Sequence, residues 1–204
     1  MLDIMQIDGE GSAVGRFSIG KEGEVIVYIP VALKGAVTIK NGSGDMEIDS
    51  LVASKLAIDN DSGYAELNHV TAEKLEISSS SGDVKLFNGN IADFQIGTSS
   101  GYVTLKNIES EDISIATKSG EVNISGLGDQ TNVGISTGSG DIGVSYKTQQ
   151  QNLSFKISSG SYDVTVRLDG VSYTTETSAC NQGKIGSGGY SLTVNSDSST
   201  VVIH

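Results

Sequence analysis

Apolar and polar residues take turns in short bursts along this chain, and the bursts return at a fixed interval. "SSSSGDVKL" at residues 78–86 places Val84 and Leu86 either side of a lysine, just after a Ser-Gly-acid phrase. Close variants recur as "NGSGDMEI", "DNDSGYAEL", "GTSSGYVTL", "ATKSGEVNI" and "STGSGDIGV". Alternation of period two predicts a strand with one buried face. The glycines of the phrases are Gly44, Gly63, Gly82, Gly101, Gly120, Gly140 and Gly160, separated by 19, 19, 19, 19, 20 and 20 residues. A serine precedes each one. Two residues after the glycine come Met46, Ala65, Val84, Val103, Val122, Ile142 and Tyr162. Four after it come Ile48, Leu67, Leu86, Leu105, Ile124, Val144 and Val164. A second alternating pair closes the unit: Leu56/Ile58, Leu75/Ile77, Phe94/Ile96, Ile113/Ile115 and Val133/Ile135, with Val37/Ile39 in the same relation to Gly44.

This period predicts an all-β fold, a parallel β-helix or β-solenoid of about 19–20 residues per coil and roughly seven or more coils. Equivalent residues should stack about 4.8 Å apart. General crossover chirality favours right-handed coiling. The Ser-Gly pair reads as a corner, with the glycine at positive φ and the serine hydroxyl bonded to the next coil. A leucine-rich repeat does not fit, because Leu67, Val70, Leu75 and Ile77 are spaced by 3, 5 and 2. No coil buries enough apolar surface to fold alone, so stacking must supply the stability.

The organisation expected is one solenoid domain over residues 1–204. Residues 1–35 hold "RFSIG" and "EVIVYIP" and read as N-terminal cap strands. Residues 36–168 are the regular coils. Residues 169–204 read as an irregular loop followed by C-terminal coils, "YSLTVNSDSSTVVIH", that cap the stack.

Charge narrows the function. The formal net charge is −12, which repels phosphate backbones and argues against nucleic acid as a partner. The single cysteine, Cys180, has no second thiol for a disulfide or zinc cluster. No apolar run approaches the roughly 20 residues of a membrane helix. "MLDIMQIDGEGS" lacks the basic and apolar regions of a signal peptide.

Chemistry is sparse. His69 and His204 are far apart, and His69 should stand outward in a turn. No catalytic, metal or cofactor site is read from the chain. The column after the corner glycine is more informative: Asp45, Tyr64, Asp83, Tyr102, Glu121 and Asp141. If the next residue points inward, this column points outward. It is either a solvated ladder whose aromatics shield strand ends, or a glycan-binding edge. In the second case Tyr64 and Tyr102 are stacking platforms and the acids accept hydrogen bonds. Calcium is a weaker reading, since tyrosines separate the acids and no G-G-x-G-x-D motif is present. Thr98, Thr117 and Thr137 form a partial column three before the glycine, a weak match to a lattice-binding array, interrupted by Asn41, Asn60 and Ser79. Polysaccharide lyases and hydrolases use β-helices with long loops, whereas the copies from Gly44 to Gly140 have almost constant length.

The strand "VIVYIP", the phrase "VTIKNGSGDMEI", the tandem S-G-[DYE]-Φ-x-Φ repeats and the ending "GKIGSGGYSLTVNSDSSTVVI" resemble a bacterial family of adhesin-like domains of unknown function, over residues 22–204. The resemblance implies a parallel β-helix at the cell envelope or surface, without catalytic residues. The expected function is a non-catalytic interaction module for an envelope glycan or surface protein. The alternative is a polysaccharide-processing enzyme on the same scaffold.

Overall fold

The computed structural model describes residues 2–8, 35–160 and 163–204. No helix occurs among them. The first strands are β1 (Leu2–Asp8), β2 (Ala36–Asn41), β3 (Met46–Asp49), β4 (Val52–Ser62), β5 (Ala65–Asn68) and β6 (Thr71–Ser81). Two long strands follow, β7 (Val84–Ser100) and β8 (Val103–Ser119), then β9 (Val122–Leu127), β10 (Asn132–Ser139) and β11 (Ile142–Tyr146). The last third holds β12 (Leu153–Ser159), β13 (Val164–Val166), β14 (Ser172–Glu176), β15 (Cys180–Ile185), β16 (Tyr190–Ser198) and β17 (Val201–Ile203).

The strands form the expected β-solenoid. On one side β2, β4, β6, β7, β8, β10, β16 and β12 stack in parallel, in that order. Their register aligns Ile39, Ile58, Ile77, Ile96, Ile115, Ile135, Val194 and Ile157 in one buried file. On a second side β3, β5, β7, β8, β9, β11, β17 and β13 stack the same way. The alternation fixes this register, since a slip of one residue would turn every apolar side chain outward. The core is a single file of stacked aliphatic columns, and Phe94 is its bulkiest fully buried side chain.

Six of the seven Ser-Gly corners line up. A Cβ built on Gly63, Gly82, Gly101, Gly120 or Gly140 would fall far inside 3.0 Å of the carbonyl oxygen of the corner glycine one coil before it. Close backbone approach is therefore what demands glycine. Gly82 separates this from conformation: it is not at positive φ, yet its Cβ would strike Gly63 O, whereas Gly101 has φ +132° as well. The expectation that every corner glycine takes positive φ fails at Gly82 and at Gly160. The serine ladder is visible where Ser62, Ser81 and Ser119 donate to the carbonyls of Gly42, Asp61 and Ser99 in the preceding coil.

The seventh corner is out of file. Gly160 faces Asp197 O, not Gly140, and the inward residue beside Val201 and Ile142 is Val164, four after the glycine. The column assignment of Val164 is thus shifted by two. Ile157 and Val164 are seven residues apart, as are Ile135 and Ile142, so the corner keeps its length and Gly160 sits two residues ahead of it. The final strands β16 and β17 do not cap the stack but lie between the 132–146 and 153–166 layers, each paired on both sides. The stretch read as an irregular loop is the β14–β15 hairpin, and it provides the cap, with β15 antiparallel on β12. At the other end β1 runs antiparallel to β2. The tracts "RFSIG" and "EVIVYIP" and Tyr162 lie outside the described residues.

A second corner escaped the repeat reading. Ser50, His69, Asn88 and Asn107 all take φ between 53° and 57°, and Gly126 takes 66°. Asn tolerates this left-handed region because its side chain bonds locally. Here Asn107 Nδ2 donates to Asn88 Oδ1, and Asn88 Nδ2 to Asn68 Oδ1, at 3.1 Å each.

Candidate functional site

The outward column lies where the sequence places it. Each of its residues follows a corner glycine and precedes a buried residue, so its side chain must leave the core. Tyr64 and Tyr102 are 42% and 55% exposed, among the most exposed large apolar side chains of the described residues. Their backbones are pinned. The Tyr64 N–H donates to Asp45 Oδ1 at 3.2 Å, and the Tyr102 N–H to Asp83 Oδ1 at 2.9 Å. Asp141 accepts from the Thr200 N–H in the same way at 3.2 Å. The alternation of acid and tyrosine has a local cause: the carboxylate of one coil caps an N–H of the next that the ladder leaves free. The aspartates are therefore structural first, with a second oxygen left over. Glu121 is exposed on the same edge. Lys85 lies 5.6 Å from the Tyr64 ring centroid, within cation–π range. The two tyrosines are two coils apart, about 10 Å at the usual strand spacing.

A different side carries a groove of about 560 Å³ running across five consecutive coils, from Val52 to Thr131. Ala53, Ala72, Ile91 and Ser110 hold equivalent positions along it, and Glu73, Glu109 and Glu111 also line it. Lys147 forms an ion pair with Glu109. A third surface carries an exposed chain of charges: Lys55–Glu76 at 2.7 Å, Glu76–Lys74 at 2.9 Å and Lys74–Asp93 at 3.4 Å. The Lys55 hydrogen bond, then that of Lys74, holds the Glu76 carboxyl below its usual range, and Glu76 and Asp93 raise Lys74.

The threonine column is not a surface array. Thr98, Thr117 and Thr137 are buried, as are Asn41, Asn60 and Ser79 in the same column. They lie two residues after Ile96 and its equivalents, so period two turns them inward. The column binds the inside of the corner: Asn60 Nδ2 donates to Gly63 O at 2.9 Å, Asn41 Nδ2 to Gly44 O at 2.7 Å and to Asn60 Oδ1 at 2.8 Å. Ser79 reaches Gly82 O, and Thr137 reaches Ser139 O. Thr117 Oγ1 finds no partner. His69 is exposed at its corner, with Nδ1 3.5 Å from Asp49 Oδ1. Among the described residues no three His, Cys, Asp or Glu side chains gather as a metal-binding group, and no helix is long and apolar enough to cross a membrane.

A family described as Toastrack DUF4097 matches residues 1–204. The chain belongs to this family. It is a family of domains of unknown function, and its description carries no adhesin activity. No curated protein and no solved structure matches the chain. The sequence pointed to the tyrosine edge and missed the groove. The sequence marks the groove only through Ala53 and Ala72, small where other inward columns carry Leu, Ile or Val; Ile91 fills the same column, and Ser110 is half-buried.

Proposed function

We propose that this Toastrack domain is a non-catalytic interaction module of the cell envelope or surface, which binds glycan along the edge marked by Tyr64 and Tyr102. The observation that carries the reading is the anchoring of both tyrosine backbones beneath exposed rings. Each stands exposed at the same corner position, with its backbone N–H held by the aspartate one coil before. Tyrosines on a fixed backbone offer apolar contact area at low entropic cost, having only two side-chain torsions, and the free carboxylate oxygens accept hydrogen bonds from hydroxyl groups. The stack fixes their spacing, which suits a repetitive linear partner better than a compact one.

A glycan array and a cell-wall pulldown test this. The native domain should retain an envelope polysaccharide, and the Tyr64→Ala/Tyr102→Ala double variant should lose at least tenfold in affinity with an unchanged melting temperature. Equal retention by both proteins would overturn the reading.

A polysaccharide-processing enzyme is the second reading. The observation favouring it is the groove, where Glu73, Glu109 and Glu111 supply carboxylates along a concave surface. Cleavage of an envelope polysaccharide that Glu111→Gln abolishes would select it over the binding module.

A further inference from the structure

One layer of the solenoid is filled out of chain order. After β11 the chain does not lay β12 on β10. It leaves a layer open, forms β12 and β13, turns through the β14–β15 hairpin, and only then returns to fill the opening with β16 and β17. The slot has β10 and β11 as one wall and β12 and β13 as the other. The occupant fits on both sides. Leu192 pairs with Val133 and Phe155, Val194 with Ile135 and Ile157, and Val201 with Ile142 and Val164.

The return path is narrow. β15 lies on one side of β12 and β16 on the other, so residues 186–189 must pass over the start of β12. This strap reads Gly-Ser-Gly-Gly, with Gly186 at φ +58° and Gly188 at φ +75°. It is held by one side chain: Asn152 Oδ1 accepts from the Ser187 N–H at 3.1 Å and the Ser187 hydroxyl at 2.8 Å. The strap spans two strand spacings, about 10 Å, and must also clear the backbone beneath it.

We infer that residues 190–203 are an exchangeable layer, and that the slot between the 132–146 and 153–166 layers takes the same segment from a second copy of this chain. The partner is argued from fit. The slot needs two short parallel strands with apolar residues at set positions on both sides of a corner, and this segment supplies that pattern. Exchange keeps every contact of the slot and changes only the strap, which is why swapping of this kind costs little. A strap too short to cross β12 should drive it.

The test uses the full chain with Cys180→Ser, and with Ser136→Cys and Asn195→Cys as a reporter, since these exposed residues are register partners across the slot wall. With the natural strap at low concentration, the disulfide should close within one chain. Deleting Gly188 and Gly189 should give a dimer after refolding, linked by disulfides between chains and dispersed to single chains on denaturation with reductant. A shortened-strap protein that folds as a monomer with an intrachain disulfide would overturn the inference. If that variant does not fold, two size-tagged batches with the natural strap are refolded together over a concentration series. Interchain disulfides between tags that rise with concentration support exchange, and intrachain disulfides alone at every concentration contradict it.

Discussion

The regular coils between Gly44 and Tyr146 and the terminal third from residue 147 onward use the same bricks in different order. In the regular part each strand from β4 to β9 pairs with those one coil before and after it in sequence, and the corner glycines sit on one another. In the terminal third the neighbours of β16 come from residues 132–139 and 153–159, and antiparallel strands take over beyond β12. The same inward alternation serves both, which shows that period two specifies which face is buried but not which strand lies alongside. The repeat length does that, and where the length of about 19–20 residues is lost the partner changes.

Breaking the regular part at its tightest point gives the largest expected effect. Gly82→Ala places a methyl against the backbone of Gly63, which cannot move without shifting a layer, and should cost about 3 kcal/mol or more. Gly97→Ala, in the same strand series with nothing within 4 Å of its Cβ, should be neutral or stabilising by up to about 1 kcal/mol. Denaturant melts of the two variants check this; equal losses would mean that stacking at the corner does not set the glycine requirement.

The inner polar column sharpens the comparison next. Asn60 is fully buried and links two coils, so Asn60→Ala should cost about 1–3 kcal/mol through the stranded Gly63 carbonyl and Asn41 amide. Thr117 stands in the same column with an unpartnered hydroxyl, and Thr117→Val should be neutral or stabilising by about 1 kcal/mol. Thermal melts of both variants decide it, and a Thr117→Val loss as large as that of Asn60→Ala would contradict the hydrogen-bond account.

The smallest effect lies on the surface. Glu76→Gln should cost under about 1 kcal/mol and less in high salt, because the Lys55–Glu76–Lys74 chain is solvated. The sign with pH follows from the lowered Glu76 pKa. Its contribution is present above the carboxylate range of the unfolded chain and disappears as pH falls through the folded value. Melts of native and variant protein at neutral pH should therefore differ slightly, and below the lowered folded value should coincide.

Much of this fold was legible in the residues. Ser-Gly spacing and paired aliphatics announced the coils, and the outward file from Asp45 to Asp141 stands where the alternation puts it. What stayed hidden was long-range choice. "YSLTVNSDSSTVVI" has the alternation of a cap and of an inserted layer alike, and only its partners distinguish them. The threonines gave only a weak match to a surface array, interrupted by Asn41, Asn60 and Ser79, and a wholly polar column gave no apolar hint of its burial. The aspartates' hold on the next coil's N–H was invisible because it joins residues 19 apart through backbone.

Amide-to-amide nuclear Overhauser contacts across the terminal layers test the central claim most directly. The stacked arrangement predicts contacts from the strand holding Val194 to those holding Ile135 and Ile157, with none between the last two. Direct contacts between the Ile135 and Ile157 strands, with Val194 at the end of the stack, would contradict it.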